Sequence, residues 1–258
     1  MSTPVTSIIP SKRTYLLDCP IDLLTMDETV AEVHHIIGRR LPSQHCVVNA
    51  GKFVLMHRDP KLKNIVQGCA MVNVDGQSVV WTLKWLGHSI QHRVCGIDLM
   101  VRLLEESEKK HYRLFFLGAR QESLDRVLEL VKTRYPDVVI AGSHNGYFTT
   151  EQNDSIVRQI AESHADVLFV AMSSPKKEFW LAKHINELNV PFCMGVGGSF
   201  DVLAGFTKRA PSWVQSLGME WFYRFIQEPR RLWRRYLIDN FVYVYLVLAS
   251  LWKSKVRS

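Results

Sequence analysis

Along most of the chain, short apolar runs alternate with longer stretches in which apolar residues recur every three or four positions. The runs are Gln44–Ala50, Cys69–Val74, Tyr112–Leu117, Val138–Ala141, Val167–Ala171 and Pro191–Val196. They show no polar alternation, which predicts strands buried on both faces. The stretches between them carry helix-start signals. Thr25-Met-Asp-Glu28 and Thr149-Thr-Glu-Gln152 fit the capping box, in which a hydroxyl and a carboxylate or amide satisfy two orphan N–H groups. Pro175 opens a further helix, PKKEFWLAKHINEL, where a missing N–H costs nothing. Strand and helix in regular alternation predict an α/β fold: a Rossmann-like, mostly parallel sheet with helices on both faces.

After Gly205 the pattern changes. Ser212-Trp-Val-Gln215, another capping-box pattern just after Pro211, predicts a helix with Trp213, Leu217, Trp221, Phe222 and Phe225 near one side. Pro229 breaks it, and a second helix from Arg230 runs into the apolar stretch Phe241–Trp252. The expected organisation is therefore a Rossmann-like catalytic domain over residues 1–205 and a helical, membrane-docking C-terminal appendage over 206–258.

Charge sharpens this division. Of the net +7, all is carried from Phe206 onward, where ten Lys or Arg face Glu220, Glu228 and Asp239; the first 205 residues sum to zero. The tail also holds four of the seven tryptophans. Arginine and tryptophan at the junction of charge and grease suit a helix lying on an anionic membrane surface, with an oligomer contact or a last core helix as the plainer reading. Nucleic acid is not expected, because the apolar stretch has no use there. That stretch is also too short to span a bilayer, which takes about 20 residues. The N-terminus lacks the charged start and apolar core of a secretory signal. Five widely spaced cysteines with no CxxC pair fit a reduced compartment.

In a parallel sheet ligands bind at the carboxyl ends of the strands. The six loops there are Asn49-Ala-Gly51, Asp75-Gly-Gln-Ser78, Gly118-Ala-Arg120, His144-Asn-Gly-Tyr147, Ser173-Ser-Pro-Lys-Lys177 and Gly197-Gly-Ser-Phe-Asp201. Asp75, at the tip of an apolar strand and followed by a glycine, suits a general base; capping the helix near Gln77 is the plainer and compatible role. The stretch GVGGSFDVLAG, Gly195 to Gly205, lets backbone N–H groups approach a phosphate, and Asp201 in it could contact a ribose or cap a short helix. No GxGxxG follows the first strand, which weakens an NAD-binding oxidoreductase. A non-catalytic, membrane-associated sugar-nucleotide sensor also fits the strand-end cluster. His88 and His92 have i, i+4 spacing without the Glu of HExxH, and adjacent His34 and His35 point to different faces; surface positions are expected for both pairs. No Asp-x-Asp is present, which removes the simplest magnesium–diphosphate clamp and leaves arginines to replace the metal if a sugar nucleotide is the substrate; no cofactor is expected.

Several separated motifs then become informative together: VDGQSVVW (Val74–Trp81), RVCGIDLM (Arg93–Met100), FFLGA (Phe115–Ala119), GYF (Gly146–Phe148), SSPKKE (Ser173–Glu178), GVGGSFDVLAG and KRAPSWVQSLGMEWFYRFIQEPRRLWRRY (Lys208–Tyr236). From about Cys46 to Tyr236 the chain resembles the WecG/TagA/CpsF family of bacterial glycosyltransferases. The resemblance implies transfer of N-acetylmannosamine, or a related hexose or uronic acid, from a UDP donor to an undecaprenyl-diphosphate-linked sugar. It further implies β-linkage by inversion, without metal, at the cytoplasmic membrane face, by a protein whose copies self-associate. Under it, Asp75 is the base and Asn49 positions a sugar. Asp201 and the glycines before it, Gly197 and Gly198, form the donor-nucleotide wall, and Arg224, Arg231 and Arg234 neutralise the leaving diphosphate; Gly118, Asn145, Lys177 and Ser199 are further expected substrate-binding residues. Two positions depart from the family pattern. Val47-Val48-Asn49 stands where Thr-Pro-Asn is usual, and Lys177 stands where the family has Gln, a cation in place of an amide that can only hydrogen-bond.

Overall fold

The alternation in the sequence becomes alternation in space. The computed structural model describes residues 9–233 and 237–257. A short α1 (Ile9–Lys12) leads into a hairpin, β1 (Arg13–Leu16) and β2 (Cys19–Asp22). The α/β body follows: α2 (Met26–Arg39), β3 (Ser43–Val48), α3 (Ala50–Arg58), α4 (Pro60–Gln67), β4 (Met71–Val74), α5 (Gln77–Trp85), α6 (Gly96–Lys110), β5 (Arg113–Gly118) and α7 (Gln121–Arg134). It continues through β6 (Val139–His144), α8 (Asn153–Glu162), β7 (Val167–Ala171), α9 (Lys176–Leu188), β8 (Phe192–Gly195) and α10 (Ser199–Leu203). The tail folds as α11 (Ser212–Ser216), α12 (Glu220–Gln227), α13 (Pro229–Trp233) and α14 (Asp239–Arg257).

Among the described residues six strands form one sheet in the order β4-β3-β8-β7-β5-β6, and every neighbouring pair is parallel. All six carboxyl ends therefore open on one edge. One face is covered by α2, α6, α7 and α10, through residues such as Val33, Leu103, Val127 and Phe200. The other is covered by α3, α4, α5, α8, α9 and α14, through residues such as Phe53, Leu62, Leu83, Ile160, Leu181 and Tyr243. The adjacent strands β3 and β8 send their following helices, α3 and α10, to opposite faces. That divergence makes the crevice of a topological switch point.

The Thr25 capping box is present: Thr25 N–H donates to Glu28 Oε2 (2.9 Å) and Glu28 N–H to Thr25 Oγ1 (3.3 Å). At Thr149 only half of one forms, Thr149 N–H to Gln152 Oε1 (2.9 Å), because α8 begins later, at Asn153. The hairpin has no counterpart in the sequence reading. Leu17 and Asp18 turn it with φ of 50° and 62°. Buried Asp22 ties it to the sheet by accepting from Arg13 Nε (2.7 Å) and from Val72 N–H (2.7 Å).

The tail differs from the expected long helix. Gly218, at φ 72°, turns the chain between α11 and α12, and it packs so closely on Gln77 that a Cβ there would sit 2.8 Å from Cγ. Pro211 stands at the N-cap of α11 without a side-chain cap, and Gln215 Nε2 instead donates to the Ala210 carbonyl (2.6 Å). The last helix is two-faced: Tyr243 and Val247 are buried against the second face of the sheet, whereas Phe241, Val244, Tyr245, Leu248 and Trp252 are exposed.

Candidate functional site

At the ends of β3 and β4 the structure brings Asn49 and Asp75 together. Asp75 N–H (2.9 Å) and Gly76 N–H (3.3 Å) both donate to the Val48 carbonyl, so the loop after β4 folds onto the end of β3. A Cβ at Gly76 would lie 2.7 Å from Asn49 Cβ, and only glycine permits this approach. Asn49 caps α3, its Oδ1 accepting from Lys52 N–H (3.0 Å), which fixes the side chain at the crevice. The N-cap of α5 is Gly76, with no side-chain cap bond, so capping does not occupy the Asp75 carboxylate. Arg93 stands beside it. Burial opposes the Arg93 cation, but the hydrogen-bonded Glu220 carboxylate and Asp75 favour it, and its pKa is raised.

At the ends of β7 and β8 lies a buried charge cluster. Lys52 Nζ donates to Ser174 Oγ (2.8 Å) and pairs closely with Glu178. Lys177 Nζ lies 3.5 Å from the same carboxylate oxygen, and burial lowers its pKa against the pull of Glu178. The glycines frame this lysine. A Cβ at Gly195 would meet its stem at 2.7 Å, and one at Gly197, where φ is 57°, would lie 3.5 Å from Nζ. Ser199 turns inward, donating to the Val196 carbonyl (2.7 Å). Asp201 lies within α10 rather than capping it, and accepts from Ser123 Oγ (2.7 Å).

At the ends of β5 and β6, Gly118 (φ 120°) and Ala119 (φ 58°) make a strained turn, and a Cβ at Gly118 would fall 2.5 Å from the Ala171 carbonyl oxygen. Asn145 shapes its own loop: Nδ2 donates to Gln121 Oε1 (3.0 Å), and Oδ1 accepts from Tyr147 N–H (2.9 Å). Gly118 and Asn145 are thus four and five strands from Asp75 in the sheet order. At about 4.8 Å per strand that is roughly 19–24 Å, so they can touch only the far end of a ligand that reaches Asp75.

The tail reaches the near end. Arg209 holds Asp98 through two bonds (2.6 and 2.7 Å), Glu220 accepts from Arg93 Nη2 (2.6 Å), and Arg209 Nε lies 3.6 Å from Glu220. Arg224 follows Glu220 by one turn on α12 and so shares its side of the helix. Arg231 lies on α13, and Arg234 lies outside the described residues.

The geometry now meets sequence comparison. The model of the glycosyl transferase WecG/TagA/CpsF family matches residues 14–257. The chain belongs to that family. It is 35% identical over 180 residues to the N-acetylglucosaminyldiphosphoundecaprenol N-acetyl-beta-D-mannosaminyltransferase of Bacillus spizizenii, covering 70% of this chain and 69% of the relative. A Bacillus subtilis protein of the same name is 32% identical, with 79% and 78% covered, and one of Staphylococcus aureus is 34% identical, with 88% and 90% covered.

Membership in the WecG/TagA/CpsF family makes the chain a glycosyltransferase and sets aside the dinucleotide oxidoreductase and the non-catalytic sensor. For such an enzyme the structure adds side chains that sequence reasoning did not single out: Lys52, Arg93, Asp98, Glu178, Arg209 and Glu220. All but Lys52 lie in motifs already quoted, RVCGIDLM, SSPKKE and the Lys208–Tyr236 stretch, but their partners are remote in sequence. His88 lies in a loop, 3.4 Å from Thr14 Oγ1, and His92 is exposed. Among the described residues no helix is long and apolar enough to cross a membrane.

Proposed function

We propose that the chain transfers N-acetylmannosamine or a closely related sugar from a UDP donor to a sugar hydroxyl of an undecaprenyl-diphosphate-linked acceptor, by inverting single displacement and without a metal. The observation that carries this reading is the junction of Asp75, Asn49 and the docked tail at one end of a crevice whose other end is the glycine wall. The acceptor hydroxyl oxygen attacks the anomeric carbon, the bond from that carbon to the diphosphate oxygen breaks, and UDP departs with the electron pair. Asp75 takes the hydroxyl proton; a single displacement needs only one such carboxylate. Asn49 orients the sugar, and Gly197, Gly198 and Asp201 support the nucleotide. Arg224, Arg231 and Arg234 neutralise the charge that develops on the diphosphate, the role a metal otherwise fills.

In this reading the protein works as a peripheral enzyme at the cytoplasmic face of the membrane, with residues 206–258 as the docking appendage. The exposed apolar stripe of α14 and the basic excess of the tail support it. The test is Asp75→Asn, assayed with a lipid-linked GlcNAc acceptor. UDP-sugar binding is expected to persist while turnover falls by at least about 10²-fold. Turnover near that of the wild type would reject Asp75 as the base.

A further inference from the structure

Among the described residues the charges that act most on Lys177 are Glu178 and Lys52, with Cys46 and His45 as further titratable neighbours. Cys46 Sγ donates to the Val47 carbonyl (3.5 Å). Two ammonium groups therefore share one carboxylate in a site where all three side chains are almost fully buried. Lys52 is the better served, with the close ion pair and the Ser174 hydroxyl. Among the described residues Lys177 has only the longer contact of 3.5 Å. A buried cation without full compensation is costly, and it persists where something else supplies the counter-charge.

The surroundings of Lys177 show from which side that charge comes. The missing Cβ of Gly195 makes room for the Lys177 stem, and Nζ arrives under Gly197, where a side chain would otherwise cover it. Beyond it, a Cβ on Gly198 would meet nothing within 4 Å. The ammonium thus sits behind a wall of bare backbone that opens onto the crevice. We propose that Lys177 reads an anionic group of the ligand resting on the Gly197–Gly198 wall. That group is either a carboxylate on the transferred sugar or a phosphate oxygen of the nucleotide. This deepens the donor-site reading above and rests on it.

The test is equilibrium binding of UDP, UDP-glucose and UDP-glucuronic acid to the full chain and to Lys177→Gln at fixed ionic strength. If the sugar carboxylate is read, the wild type prefers UDP-glucuronic acid over UDP-glucose by about tenfold or more, and the variant loses that preference while binding UDP as before. If a phosphate is read, all three ligands weaken in the variant by a common factor of about tenfold. Unchanged binding of all three would overturn the proposal. The variant keeps the balanced Lys52–Glu178 pair, so its melting temperature should equal or exceed that of the wild type. A clear fall would instead make Lys177 a structural partner of Glu178 and overturn the proposal. A wild-type chain that bound none of the three ligands would overturn the UDP-donor reading as well, which separates the two failures.

Discussion

Replacing Glu220 by Gln removes the carboxylate that holds the tail against the Asp75 loop. The side chain is 12% exposed and its partner Arg93 17%, so the pair lies between an exposed ion pair, worth about 0–1 kcal/mol, and a buried one, whose breaking costs about 3–5 kcal/mol. About 2 kcal/mol is a fair value here, because the amide can still accept one hydrogen bond and Arg209 keeps its bidentate contact with Asp98. Two kcal/mol corresponds to a shift of about 30-fold in the docking equilibrium. If the docked tail completes the site, UDP release with a lipid-linked acceptor falls by up to that factor, and the segment 206–219 becomes accessible to protease. A double-mutant cycle with Arg93→Gln isolates the pair, with an expected coupling near 2 kcal/mol. Wild-type turnover together with wild-type protease resistance in Glu220→Gln would refute the reasoning. So would coupling below about 0.5 kcal/mol.

Two further outcomes follow from burial. His45, fully buried with Nε2 2.9 Å from Asn73 Oδ1, has its pKa lowered by burial to about 4, whereas the unfolded side chain titrates near 6.5. Between those values the unfolded chain binds a proton that the folded one refuses, so stability falls as pH drops from about 6.5 to about 4 and His45 adds nothing further below that. By pH 5 the loss from this residue is about 2 kcal/mol, read as a urea-midpoint shift that His45→Gln lacks; equal shifts in both proteins would contradict it. On α14, replacing Tyr245 and Trp252 by Ser should weaken sedimentation with anionic vesicles by at least about tenfold while leaving unfolding within about 0.5 kcal/mol, since both side chains are 70% or more exposed. Unchanged sedimentation would exclude this face from membrane contact.

The six sheet strands were legible in sequence because parallel strands buried on both faces leave near-continuous apolar runs. Their shared carboxyl edge was legible for a related reason: all six loops carry Gly, Asp, Asn or Ser at strand ends. The hairpin was not, since Arg13–Leu16 and Cys19–Asp22 are four residues each, too short for a period to show. The break between α11 and α12 was hidden because Gly218 answers to a contact with Gln77 rather than to its neighbours in sequence. The same holds for the charged part of the site. Lys52 with Glu178, Arg93 with Glu220 and Arg209 with Asp98 are separated by 126, 127 and 111 positions, and no local spacing rule links such residues. Asp75 could be named from sequence because its setting is local; what surrounds it could not.

The layout of charge in the tail follows from this docking. Glu220 pairs with Arg93, and Asp239 lies 3.8 Å from Arg58, so both of these tail acids face arginines of the body. In the opposite sense, Arg209 of the tail takes Asp98 of the body. Each of these contacts joins opposite charges, and two of the three use a tail acid. Docking therefore engages two of the tail's three acids, Glu220 and Asp239, and leaves the tail with a basic excess. The apolar side chains divide in the same way, with Tyr243 and Val247 buried on the body and Phe241, Tyr245 and Trp252 turned away from it. A tail serving only as a last core helix needs neither the outward apolar stripe nor +7 of charge. A tail that binds the body with one face and an anionic, lipid-bearing surface with the other needs both.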